Sequence, residues 1–243
     1  MFGRIFMVAL VAGVLAGFVG SGVQFGLATP LIVEAEKYEE AAEKKKAETS
    51  AVHSHAPGAP AHSHDHGSGE WEPGSPLERA FWTAVANVLL AVGGALVIAA
   101  AFSLRKTEAT WKTGLAWGTG AFLAVGLAPA LGLPPELPGT AAAELANRQG
   151  WWLGTAVATA GGLMLLGYGK GGVWKALGGV LIVLPHLIGA PHPATPESLA
   201  PPALQNQFIV AALVSSAIFW TVLGGLVGFF SNRFGLDRPA PAA

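Results

Sequence analysis

Hydrophobic residues along this chain fall into long uncharged runs rather than into the short alternating patches of a soluble domain. The uncharged stretches are 5–33, 80–104, 113–135, 149–169, 176–196 and 198–232. Crossing the hydrocarbon of a bilayer as a helix takes about 20 apolar residues. The pattern therefore predicts an all-α, polytopic transmembrane helical bundle with six spans, at about 5–30, 81–103, 114–132, 151–169, 176–191 and 208–230. The fifth span is the weakest, because "ALGGVLIVLPHLIGAP" is short and carries Pro185 and His186 inside it. A re-entrant or broken helix is the alternative there, and five spans the alternative count.

Small residues recur four apart at Gly13, Gly17 and Ser21, at Gly114 and Gly118, at Gly150, Gly154, Ala158 and Gly162, and at Gly224 and Gly228. Lipid tails give helices no hydrophobic reason to associate, so close backbone approach at small residues does that work. The spacing predicts a tight bundle and says nothing specific about function.

Composition agrees with a membrane setting: 52% of the 243 residues are hydrophobic, 12% are charged, and the formal net charge is −1. No basic patch suggests nucleic acid as a partner. With no cysteine, disulfides, thiolate metal sites and iron–sulfur clusters are excluded. Any metal must be held by nitrogen and oxygen.

Charge placement then sets the topology. Arg4, Arg105, Lys106, Lys112, Lys170, Lys175, Arg233 and Arg238 all flank the same ends of six alternating spans. The positive-inside rule puts both termini in the cytoplasm and the long 34–79 loop outside. A cleaved signal peptide is the other reading of residues 1–30 and leaves that loop outside as well.

The 34–79 loop has two parts. "EAEKYEEAAEKKKAE", 34–48, is rich in helix formers and spaces Glu40 and Lys44 four apart, so the first helix is expected to project beyond the membrane. Residues 50–76 are rich in His, Pro, Gly and Ser and are expected to be disordered without a ligand. Five of the seven histidines, His53, His55, His62, His64 and His66, lie within this stretch, with Asp65 among them. Imidazole suits cobalt, nickel, copper and zinc, so the stretch reads as a metal collector. The competing reading is a solvated spacer.

Inside the membrane, polar residues are costly and mark pathways. His186 lies eleven residues past Lys175, roughly 16 Å along a helix and so close to the expected midplane. Pro185 removes a backbone hydrogen bond beside it, and His192 lies near the outer end. A histidine bonded between packed helices is the competing role for His186. Gln24 and Asn87 read as helix–helix contacts, and Pro30 as a bend below Glu34 and Glu36. In the outer loop between the third and fourth spans, Pro134-Pro135-Glu136 makes a rigid turn with an exposed carboxylate. Shaping that loop is the competing role for Glu136, and Trp151 and Trp152 read as interfacial anchors. No phosphate-binding Gly-Lys-Ser/Thr, G-x-S-x-G or H-E-x-x-H motif occurs, so the chain is not expected to be an enzyme.

"PLIVEAEKYE", "APALGLPPELPG", "RQGWW", "LPHLIGAPHP" and "FWTVLGGL" together resemble the CbtA family of predicted cobalt transporter subunits, nearly end to end. The resemblance implies an integral membrane protein linked to cobalamin synthesis, and a small single-span partner, CbtB, with a histidine-rich C-terminal tail. Carried onto this chain, its motifs fall on Glu34, Glu36, Glu136, Arg148, Pro185, His186 and His192. The family's usual description has five spans. The reading that results is uptake of cobalt(II), with ions collected at the histidine loop, admitted past the three glutamates and carried near His186, and with no organic cofactor. A non-transporting metal-binding or sensing protein is the rival.

Overall fold

The computed structural model describes residues 2–52, 73–105 and 108–236. They are helical throughout, joined by loops and one isolated antiparallel bridge, Thr140 to Ser198. In chain order the helices are α1 (Phe2–Leu27), α2 (Thr29–Val52), α3 (Pro76–Arg105), α4 (Trp111–Ala121), a π-helical segment (Phe122–Leu127) continued by α5 (Ala128–Ala130), α6 (Leu145–Tyr168), α7 (Gly172–Ile188) and α8 (Pro202–Arg233).

Among the described residues four helices are long and apolar enough to cross a membrane: Phe2–Leu27, Pro76–Arg105, Trp111–Ala130 and Pro202–Arg233. They correspond to the first, second, third and sixth expected spans. The fourth falls on α6, which has 24 residues but is diluted by glycine, threonine and the polar start "LANRQG". The fifth falls on α7, which is apolar but has only 17 residues. That helix is unbroken: Pro185 sits inside its last stretch, where one lost hydrogen bond is tolerated.

The first span ends at Leu27, and α2 starts two residues later. Ala28 N–H still donates to Gln24 C=O, and Leu31 and Ile32 N–H donate back to Ala28 C=O. Pro30 thus occupies a first helical turn, where its missing N–H has no partner to lose. The polar 34–48 stretch is helical, as its composition predicts.

Close packing runs through the small residues. A side chain on Gly114 or Gly118 would collide with the Gly224 and Trp220 carbonyls, and one on Gly224 or Gly228 with the Gly114 and Thr110 carbonyls. Gly13 and Gly17 admit the backbone of Val92 and Val88, and Gly162 that of Gly178. Gly150 and Gly154 face open space, so half of that repeat is unused.

Arg4 Nη1 donates to Gly235 C=O at 2.8 Å, joining the start of α1 to the end of α8. Arg105 lies 3.6 Å over the Tyr168 ring, joining the ends of α3 and α6. The described basic residues at these helix ends therefore share one end of the bundle. A core of Val8, Ala12, Ala95, Phe102, Leu223 and Val227 fills that half.

Candidate functional site

The opposite end gathers the glutamates. Ala28 and Ala35 of the α1–α2 arm pack with Leu137, Ala200 and Phe208 in a second buried cluster. Leu137 follows Glu136, and Ala35 lies between Glu34 and Glu36, so this cluster brings three of the sequence-predicted residues to one end. The loop is fixed by Gln205 near the start of α8: its Nε2 donates to Pro135 C=O at 2.7 Å, and its Oε1 accepts from Leu137 N–H at 3.1 Å. Thr140 and Ser198 hydroxyls meet at 3.2 Å where the two outer loops bridge. Sequence reasoning missed Gln205, because nothing in a lone glutamine marks a contact about 70 positions away.

Each glutamate already has a cationic partner. Glu34 binds Lys37 and Glu36 binds Arg79, both at 2.6 Å, and Glu136 binds Arg148 at 2.7 Å. The Glu34 carboxylate, accepting from Lys37 and attracting its charge, holds the Lys37 ammonium above the usual lysine range. Among the described residues no group of three or more His, Asp or Glu stands close enough to hold a metal ion. His53, His55, His62, His64 and His66 lie outside the described residues.

His186 stands in the last turn of α7. Its ring meets Trp151 edge-on, with centroids 5.9 Å apart. Trp151 Nε1 donates to the neighbouring Pro185 C=O at 3.3 Å, and the indole also covers Gly132. Trp151 is therefore a half-buried wedge between α6, α7 and the Gly132 turn, rather than an anchor turned outward. The glutamine and asparagine expected to join helices do so: Asn87 Nδ2 donates to Gln24 Oε1 at 2.8 Å and to Ser21 Oγ at 3.1 Å. His192 is exposed in the segment after α7.

Among the cavities that the described residues form in this half, three have glutamate or amide side chains from the predicted set in their walls. One of about 630 Å³ lies between the π-helical segment, the 130–136 turn, α6 and α8, and is lined by Glu136 and Arg148. A second, of about 410 Å³, is lined by Glu36, Arg79 and Pro73. The third, about 270 Å³, lies between α1, α3 and α8 and is lined by Gln24, Asn87, Ser215 and Ser216.

Apolar helices of membrane-spanning length, joined through close glycine contacts, make this a multi-pass membrane protein. The chain belongs to the CbtA family, described as probable cobalt transporter subunit, whose model matches residues 2–232. The family is one of transporter subunits and not of enzymes. No curated protein and no solved structure matches the chain.

Proposed function

We propose that this chain is the membrane subunit of a cobalt(II) uptake system that supports cobalamin synthesis. It crosses a bacterial inner membrane six times with both termini in the cytoplasm, α6 and α7 forming the fourth and fifth crossings. A small single-span subunit with a histidine-rich tail is its partner. The observation that carries the reading is the gathering of three glutamates, each beside a cation, at one end of the bundle. The described basic residues at Arg4, Arg105 and Arg233 share one end, while buried packing gathers Glu34, Glu36 and Glu136 at the other.

The histidine stretch is tethered at that acidic end. Its last imidazole, His66, is seven residues before Pro73, which lines the Glu36 cavity. Captured ions are released to Glu34 and Glu36, whose exposed or half-exposed pairs with Lys37 and Arg79 are weak enough to yield to a divalent cation, and pass to Glu136, mostly buried against Arg148. His186 and His192 supply imidazole nitrogen ligands beside the same outer loops.

Radioactive cobalt accumulation by cells that express the chain, alone and with its single-span partner, tests the reading. Uptake that depends on the chain and exceeds stoichiometric binding is expected. Binding that saturates at a few ions per protein, with nothing reaching the cytoplasm, would replace transport by storage or sensing.

A further inference from the structure

We propose that the two glutamate-lined mouths lead to a chamber for a hydrated divalent cation, a mostly apolar space whose wall carries the neutral oxygens of Asn87 and Ser216. The inference rests on the uptake reading for the identity of the ion and adds the place where it is held. Ala212 and Ser216 line both the Glu136 cavity and the central one. Gln24 and Ile32 line both the Glu36 cavity and the central one. The three spaces therefore share walls, with Ala212 and Ser216 between one pair and Gln24 and Ile32 between the other.

Among the described residues, one hydroxyl in the shared wall is unpartnered, as those of Ser103, Thr155, Thr159 and Ser231 are elsewhere. Hydroxyls in apolar helices ordinarily donate back to the carbonyl one turn earlier. Ser21, Ser215 and Thr221 do so here. Ser216 does not: among the described residues its Oγ has no hydrogen-bond partner, and it faces the π-helical segment at Gly126. π-Helical turns inside α-helices recur at functional sites. Asn87 spends both protons of its amide nitrogen on Gln24 and Ser21, which leaves its Oδ1 for the chamber.

Size and charge select the guest. Six waters occupy about 180 Å³ in the liquid, so about 270 Å³ admits a divalent ion with its first shell intact. No carboxylate lines the space, so an ion stripped of its water would find no compensating charge there. Neutral oxygens acting through water distinguish divalent metals poorly, so the chamber passes ions and selectivity lies at the nitrogen ligands. Below Ser216 the way is closed by Phe219, Trp220 and the core around Leu223.

Because the chain has no cysteine, single thiols report on the chamber directly. Ser216→Cys, in membrane vesicles, should react with a small cationic methanethiosulfonate, and Ile218→Cys, two residues along on an exposed apolar face, should not. Magnesium(II) at millimolar concentration should slow the Ser216→Cys reaction severalfold, since it is divalent, strongly hydrated and has little affinity for thiols. Ala212→Cys, which lines the same junction, repeats the test should the first variant fail to accumulate. A Ser216→Cys thiol as inert as Ile218→Cys, or labelling that magnesium leaves unchanged, overturns the chamber. The uptake reading fails separately: if labelling and protection hold but the unmodified protein accumulates no cobalt, the chamber stands and the cargo is another divalent ion.

Discussion

At the scale of single residues, the site depends on polar contacts that span the chain. Gln205 holds the Glu136 turn through two hydrogen bonds, and Gln205→Ala leaves a loop carbonyl and an N–H to find water instead. A net loss of about 1–3 kcal/mol is expected for two such bonds, read as a lowered midpoint in thermal unfolding of the detergent-solubilised protein. Gln205→Glu keeps an acceptor for Leu137 N–H but none of the donor to Pro135, so it should recover only part of the loss. His186 poses a sharper choice. As an ion ligand it must keep its ring nitrogen, so His186→Ala and His186→Gln should both abolish cobalt accumulation while both proteins reach the membrane. Glutamine can make hydrogen bonds but is a poor metal ligand. Uptake at the unmodified rate in His186→Gln would leave His186 only its edge-on contact with Trp151.

At the scale of elements, glycine spacing is legible in sequence but its use is not. Gly224 and Gly154 both belong to small-residue repeats, yet a Cβ on Gly224 would lie 2.6 Å from the Gly118 backbone, whereas one on Gly154 meets nothing within 4 Å. Gly224→Ile should therefore force α4 and α8 apart at a cost of about 3 kcal/mol, the upper end for overpacking, and reduce the folded fraction. Gly154→Ile should be silent. Size-exclusion profiles of fluorescently tagged variants check the pair, and equal profiles would remove the glycine seam as the basis of the α4–α8 contact.

At the scale of the whole molecule, the prediction concerns sidedness and collection. With six crossings, Ser63→Cys and Ala243→Cys should label oppositely with a membrane-impermeant thiol reagent, and labelling of Ala243→Cys from outside would require an odd number. Deleting residues 53–66 should lower uptake at scarce metal and leave saturated uptake nearly unchanged, since a tethered collector raises local concentration without performing the transfer. A lost saturating rate would instead place the loop in the pathway.

The sequence by itself determined that the protein is helical, lies in the membrane and belongs among the cobalt transporter subunits. Those properties follow from uncharged run lengths, and from local motifs such as Leu-Pro-Pro-Glu-Leu-Pro-Gly that survive without knowledge of neighbours. It also anticipated that Gln24 and Asn87 join helices, because an amide in an apolar helix must find a partner, and the structure pairs them with each other. Tertiary structure alone decided which partner each charge takes, as when Glu36 meets Arg79 across 43 positions. It placed His186 in the last turn of α7 beside Trp151, although counting from Lys175 had suggested the middle of a span. Above all it decided where the cavities lie. A cavity is the space left when helices distant in sequence fail to close on each other, and Ser216 acquires its position between two of them only after α1, α3, α6 and α8 have packed.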